Sequence, residues 1–151
     1  MAPKPKLTIL LTLKDRSIFT YRWLEYAQFI NLPFKVFIAD GGISDEIENN
    51  LGNSSKYPKL DYCYFRYPPD TSYYIYYSKV VDALSKIDTE YVVMADNDDF
   101  FIVEGLEKSV IFMDEHPDFS CCRGTIGTVD IKTYSKNNFE SLYGEKVFFD
   151  I

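Results

Sequence analysis

Apolar and polar positions alternate along the chain between two spacings. Leu7–Leu13 is an almost unbroken run of Leu, Ile and Thr, the pattern of a strand buried on both faces of a parallel sheet. Lys14-Asp15-Arg16-Ser17 ends it. From there the apolar positions widen to Phe19, Trp23, Tyr26, Ala27 and Ile30, one stripe of a helix. That helix is predicted to stop near Leu32-Pro33, because a residue preceding proline is driven out of the helical region.

Residues 34–39 read as a second strand, and Asp40-Gly41-Gly42 marks a sharp turn at its end. Ser44 is the predicted N-cap of a short helix with Ile47 and Leu51 facing inward. The turn-rich stretch 52–59 leads to a third strand at 60–67, closed by Pro68-Pro69-Asp70. Residues 73–87 read as a helix with Tyr77, Val80, Val81, Leu84 and Ile87 on one side, although Tyr73 to Tyr77 carry strong strand propensity. Tyr91–Ala95 is a central strand running straight into Asp96-Asn97-Asp98-Asp99. Val103, Leu106, Val110 and Met113 form a last helical stripe, ending before His116-Pro117. Residues 119–122 and 146–151 have strand character, and 132–143 is polar.

Strands alternating with helices predict an α/β fold with a doubly wound, mostly parallel sheet, since parallel neighbours need crossover helices. The 151 residues are one domain's worth of chain, 1–151. The apolar end at Ile151 points to a longer native polypeptide. Open sheets of this kind bind ligands at the carboxyl ends of their strands. The carboxylates fall there: Asp15 after the first strand, Asp40 after the second, Asp96 and Asp98 after the fourth.

Charge and composition narrow the partners. Sixteen basic against twenty-three acidic side chains give a net charge of −7, a field that repels phosphate backbones and argues against nucleic acid. The run Leu7–Leu13 is too short for a transmembrane span or a signal peptide's apolar core. Cys63, Cys121 and Cys122 cannot all pair within the chain and lack Cys-x-x-Cys spacing, so they read as small buried apolar residues in a reducing compartment. These features predict a cytoplasmic protein, at most peripheral to a membrane. The sequon Asn53-Ser54-Ser55 is then a loop coincidence.

Three carboxylates in four residues raise one another's proton affinity unless a cation offsets them. Asp96 and Asp98 suit Mg²⁺ or Mn²⁺, whose remaining coordination positions stay open to phosphate and water. A solvated acidic turn is the alternative, because Asp and Asn favour turns without any metal. Calcium in an EF-hand is excluded by Phe100 and by Phe101, which stands where the loop needs glycine. Neither G-x-x-x-x-G-K-[ST] nor G-x-G-x-x-G occurs, which counts against P-loop hydrolases and dinucleotide enzymes.

These pieces in this order resemble the nucleotide-sugar-binding half of the GT-A fold glycosyltransferases, most nearly the family 2-like group. The resemblance rests on residues 7–16, 34–44 and 91–100, with Asp-x-Asp at 96 and 98. It implies a metal-dependent enzyme that binds a UDP-, GDP- or dTDP-sugar and transfers the sugar to a glycan, lipid or small-molecule hydroxyl. Thr12, Asp15 and Arg16 would border the nucleotide, and Asp40 would face its base or ribose. Asp96 would approach the ribose or the metal, and Asp98 would ligate Mn²⁺ or Mg²⁺ bridging the diphosphate. Where the family often has two acidic residues after the second strand, this chain has Asp40 followed by Gly41-Gly42.

The general base of such enzymes lies downstream of Asp-x-Asp. Glu140, Glu145 and Asp150 are available but stand in no recognisable frame, and His116 reads as a helix-end cap. Lys14, Arg16 and Arg66 are the cations nearest the strand ends, suited either to phosphate or to a salt bridge with Asp15 or Asp40. Two other readings remain open at this level: a nucleotidyltransferase or metal phosphohydrolase using Asp96 and Asp98, and a non-enzymatic α/β binding or assembly module whose acidic loop is ordinary surface and whose contact is the aromatic run Tyr73 to Tyr77; as a detached half of a longer enzyme, the chain is expected to self-associate through that same aromatic surface.

Overall fold

The computed structural model describes residues 5–52 and 56–126. Four strands form one parallel sheet: β1 (Leu7–Leu13), β2 (Lys35–Asp40), β3 (Tyr62–Arg66) and β4 (Tyr91–Ala95), in spatial order β3-β2-β1-β4. Helices α1 (Ser17–Phe29), α2 (Glu46–Leu51), α3 (Tyr73–Lys86) and α4 (Val103–Glu115) supply the connections. This is the doubly wound α/β architecture, consistent with a GT-A-like fold.

β1 sits at the centre, and all seven of its residues are buried. Its odd-numbered side chains, Leu7, Ile9, Leu11 and Leu13, pack with Val36 and Ile38 of β2, Trp23, Leu24 and Ala27 of α1, Ile47 and Leu51 of α2, and Leu106 of α4. Leu10 faces the other way and joins Phe37, Ala39, Val80 and Ala83 under α3. Three helices thus cover one face, and α3 lies on the other. On the α3 face, Phe65, Val92 and Met94 are exposed at the two flanking strands. A strand's side-chain period of two explains why each strand contributes to both clusters.

Several sequence expectations need correction. The inward side of α3 is Tyr76, Lys79, Val80, Ala83 and then Ile87, whereas Tyr77, Val81 and Leu84 point outward. The β-branched and aromatic residues of α3 satisfy two helical stripes, and the buried one includes a lysine that carries its own partner. The helix starts at Tyr73 as expected, and Ser72 caps it by accepting a hydrogen bond on Oγ from the Ile75 amide at 3.3 Å. The N-cap position of α2 is Asp45, one residue later than expected, without a capping bond from its side chain, while Ser44 Oγ accepts the Glu46 amide at 3.2 Å. Residues 119–122 form no strand; Phe119 instead packs edge-on against Phe112, 5.5 Å between ring centroids. Cys121 and Cys122 are exposed and Cys63 is half-buried, so the expectation of three buried cysteines fails. The stretches 132–143 and 146–151 lie outside the described residues, as do Glu140, Glu145 and Asp150. Among the described residues no helix is long and apolar enough to cross a membrane.

Candidate functional site at the carboxyl edge of the sheet

Beyond Leu13 the chain leaves the sheet through two consecutive left-handed residues, Asp15 at φ 55° and Arg16 at φ 59°. Non-glycine residues adopt this region rarely. The turn aims the two side chains at opposite neighbours of β1. Asp15 Oδ1 accepts hydrogen bonds from the amides of Ile43 at 2.7 Å and Ser44 at 3.1 Å. Those two amides, Ser44 before Ile43, hold the Asp15 carboxyl below its ordinary pKa by favouring its charged form. Arg16 Nη2 reaches the other way and pairs with Asp98 Oδ2 at 2.9 Å. The loops after β2, β1 and β4 are therefore joined by two residues.

Asp40 is completely buried. The parallel register sets it opposite Arg66, and three donors converge on its carboxylate: Tyr64 Oη at 2.6 Å, Arg66 Nη1 at 2.9 Å and the Gly42 amide at 2.8 Å. Burial, followed by the bond to this carboxylate, pushes the Tyr64 phenol well above its ordinary pKa. Arg66 also donates to the carbonyls of Ser44 at 3.1 Å and Ile43 at 3.3 Å. Asp15 thus holds the N–H groups of the 41–45 loop while Arg66 holds its carbonyls. The loop needs small residues here, since a Cβ on Gly42 would stand 2.9 Å from the Asp15 backbone nitrogen.

The acidic turn after β4 is built on its one buried member. Asn97 Nδ2 donates to Thr20 Oγ1 at 3.1 Å and approaches the Arg16 carbonyl at 3.5 Å, leaving Asp96, Asp98 and Asp99 exposed on either side. Tyr26 fixes the next residues, donating to the Phe101 carbonyl at 3.1 Å and meeting the Phe100 ring edge-on. Among the described residues, no three His, Cys, Asp or Glu side chains converge to hold a metal unaided. Asp96 and Asp98 offer exposed hard oxygens, and Asp98 is paired with the Arg16 guanidinium. That donor set fits a Mg²⁺ or Mn²⁺ ion whose coordination is completed by phosphate and water.

Of the residues singled out in the sequence, Arg16 and Asp98 are brought together, and Asp15, turned the other way, is joined to the loop after Asp40. Thr12 is buried in β1 opposite Ala39. The Asp40 carboxylate faces Tyr64, Arg66 and Gly42, and Asp96 stands exposed beside the buried Asn97. Lys14 is exposed, and His116 caps the end of α4.

Sequence reasoning missed a second buried group at this edge. Lys79 and Asp70 form a close ion pair, both nearly fully buried, and Lys79 Nζ also donates to the Leu13 carbonyl at 3.0 Å. The Asp70 amide donates to the Gly41 carbonyl at 2.8 Å. Asp70 Oδ1 has no hydrogen-bond partner among the described residues. A Cβ on Gly41 would overlap this carboxylate, which explains a glycine there. The available signal was a lysine on the apolar stripe of α3, visible once Tyr76, Val80 and Ala83 define that stripe.

The fold and this edge define an α/β domain with a doubly wound parallel sheet whose loops after β1, β2 and β4 meet at one edge. No family model matches the chain, and no curated protein matches it in sequence. Among solved structures it is similar to S. aureus TarS, residues 1–349, at 20% identity and a TM-score of 0.58 over 75% of this chain and 33% of that one. A second TarS structure matches with the same identity and score over 20% of its length. TarS 1–349 in complex with UDP-GlcNAc matches at 18% identity and a TM-score of 0.55, over 75% of this chain and 32% of that one. The chain thus spans a third or less of these three structures, and at such identity the likeness is one of fold.

Proposed function

We propose that the chain is the donor-binding part of a glycosyltransferase, taking a nucleoside-diphosphate sugar at the carboxyl edge of its sheet. The observation that carries this reading is the joining of three loops at one edge: Asp15 accepts the Ile43 and Ser44 amides after β2, while Arg16 pairs with Asp98 after β4, in the turn that also exposes Asp96. The shared fold with TarS, one of whose structures holds UDP-GlcNAc, supports it.

In this reading Asp15 and the 41–45 loop border the nucleoside, with Thr12 and Asp40 fixing the strand ends beneath it. Arg16 faces the diphosphate. Asp96 and Asp98 would hold Mg²⁺ or Mn²⁺, which when bound supplies positive charge against the departing diphosphate. An acceptor hydroxyl loses its proton to a base and bonds to the anomeric carbon as the bond to the diphosphate oxygen breaks. Arg16 stabilises the negative charge that collects on the leaving group. The acceptor is a glycan, lipid or small-molecule hydroxyl. Three unpaired thiols, two of them exposed, suit a reducing cytoplasmic setting.

Calorimetry with UDP, GDP and dTDP, each with Mn²⁺ and with chelator, tests the reading. Binding should require the metal and be lost in Asp98→Asn with the fold intact. Equal affinity with and without metal would overturn the metal bridge, and no binding of any nucleotide would overturn the donor site.

A second role is favoured by α3, whose exposed Tyr73, Tyr74, Tyr77 and Val81 form an apolar face suited to self-association.

A further inference from the structure

We propose that Arg66 and Asp15 are positioning residues that fix the 41–45 loop from opposite sides, so that the Ile43 side chain stands as an apolar ledge for the face of a nucleobase. The proposal rests on the donor-site reading above and assigns the residue against which the nucleoside end of the donor packs.

The polar groups of both positioning residues are spent on the protein itself. The Arg66 side chain is only 21% exposed, and each of its guanidinium nitrogens faces an acceptor. Nη1 donates to Asp40 at 2.9 Å and to the Ser44 carbonyl at 3.1 Å, and Nη2 donates to the Ile43 carbonyl at 3.3 Å. Nη2 and Nε also pair with Asp45 at 3.5 Å and Glu48 at 3.9 Å. From the other side, Asp15 Oδ1 accepts the amides of Ile43 and Ser44 at 2.7 and 3.1 Å. The backbone of these two residues is thus gripped at its N–H and its C=O groups alike. Gly42 closes the same turn, with its amide on Asp40 and no room for a Cβ between Asp15 and Asp40.

What the grip leaves free is the Ile43 side chain, 70% exposed beyond the paired ends of β1 and β2. An apolar side chain on a loose loop covers a ligand only after the loop has lost its freedom. On a loop already fixed that cost is absent, and more of the burial appears as affinity. The flat face of a base offers such a side chain apolar area, whereas a diphosphate offers none. Charge points the same way. Asp15, Asp40, Asp45 and Glu48 all stand around Arg66 or the loop that it holds, a field that disfavours phosphate and tolerates a neutral base.

The test separates the ledge from the grip. Binding of UDP, GDP and dTDP in the presence of Mn²⁺ is measured by calorimetry, and exchange of the Ile43 and Ser44 amides is followed by NMR without nucleotide. Ile43→Ser should leave Ser44 amide exchange and urea stability unchanged, yet weaken whichever nucleotide binds by about five- to tenfold. Ile43→Val, which keeps most of the apolar area, should stay within about twofold of the unaltered chain. Arg66→Lys keeps a charge beside Asp40, but its single ammonium does not span the two carbonyls as well. In that variant both amides should exchange about tenfold faster while those of Leu10 and Leu11 hold, and the nucleotide should weaken about as much as in Ile43→Ser. If circular dichroism shows Arg66→Lys unfolded, Asp15→Asn loosens the same two amides and takes its place. Nucleotide binding as tight in Ile43→Ser as in the unaltered chain overturns the ledge and leaves the donor-site reading standing. Unchanged amide exchange in Arg66→Lys overturns the grip. Absence of nucleotide binding to the unaltered chain overturns the donor-site reading, and the ledge with it.

Discussion

Arg66 Nη1 stands 2.9 Å from Asp40 Oδ2, across a parallel pair of strands, and Asp40 has no exposure to solvent. A buried carboxylate is tolerated when donors replace its water, and here Tyr64, Arg66 and Gly42 do so. Arg66→Met removes the balancing charge and also releases the Ile43 and Ser44 carbonyls. The expected loss is about 3 kcal/mol of unfolding free energy, measured by urea denaturation. Asp40→Asn in the same chain should recover part of it. A double variant no more stable than Arg66→Met alone would show that the ion pair is not the cause.

The Asp70–Lys79 pair predicts a larger effect because neither end reaches water. Lys79→Met strands Asp70 and frees the Leu13 carbonyl, and should cost about 3–5 kcal/mol. Gly41→Ala attacks the same pair from the other side. The added methyl collides with a carboxylate that its partner holds in place, so a loss of about 1–3 kcal/mol is expected. Combined with Lys79→Met, the glycine substitution should cost less than it does alone, since Asp70 can then move. Strict additivity of the two losses would refute the contact.

Much of this architecture was legible in the sequence, and the parts that were not have physical causes. Leu7–Leu13 is a strand in both readings because an unbroken apolar run with strand propensity has one stable place, inside a parallel sheet; Tyr91–Ala95 is also a strand, but it stands at the edge of the described sheet rather than at its centre, with Val92 and Met94 exposed. The carboxyl edge followed from that, and with it Asp15, Arg16 and Asp98. What the sequence hid is which charge meets which. Asp40 and Arg66 are 26 positions apart, and only the register of β2 on β3 makes them neighbours. Lys79 was not singled out because two faces of α3 are apolar, and the helix buries the one whose lysine can reach Asp70 and Leu13. The segment 119–122 has strand propensity, yet it forms no strand where Phe112 and His116 offer aromatic contact instead.

Acid and base should act on different groups. Asp15 has a lowered pKa in the folded chain, so the stability it contributes is present above its unfolded value near 3.8 and fades as pH falls through the lower folded value. Asp15→Asn should flatten the stability profile below about pH 4. On the alkaline side, burial, then the charge of Glu25, raises the Tyr57 phenol to about 12. Burial likewise raises Tyr64, ahead of its bond to Asp40. The stability from such phenols is full below about pH 10 and is lost as pH rises through the folded values. Absorbance at the tyrosinate band should therefore show a late-ionising fraction that merges with the rest on unfolding. Tyr57→Phe should remove part of that fraction, and an unchanged curve would contradict the burial argument.

The exposed face of α3 makes the last prediction. Tyr73 and Tyr74 are more than 80% exposed, and Tyr77 and Val81 more than 60%. Tyr74, Tyr77, Ser78 and Val81 also line a shallow hollow of about 510 Å³ along the helix. Phe65, Val92 and Met94 lie exposed on the sheet face that α3 covers. Exposed apolar side chains along one helix face favour association once about 1,000 Å² can be covered. Sedimentation of this chain should accordingly shift toward dimer as concentration rises. Tyr74→Ser, Tyr77→Ser and Val81→Ser together should restore the monomer without altering the fold, because none of the three contributes to the buried cluster of Leu10, Phe37, Ala39, Val80 and Ala83. Association that survives the triple substitution would move the contact elsewhere, and a monomer at every concentration would remove α3 as an assembly face.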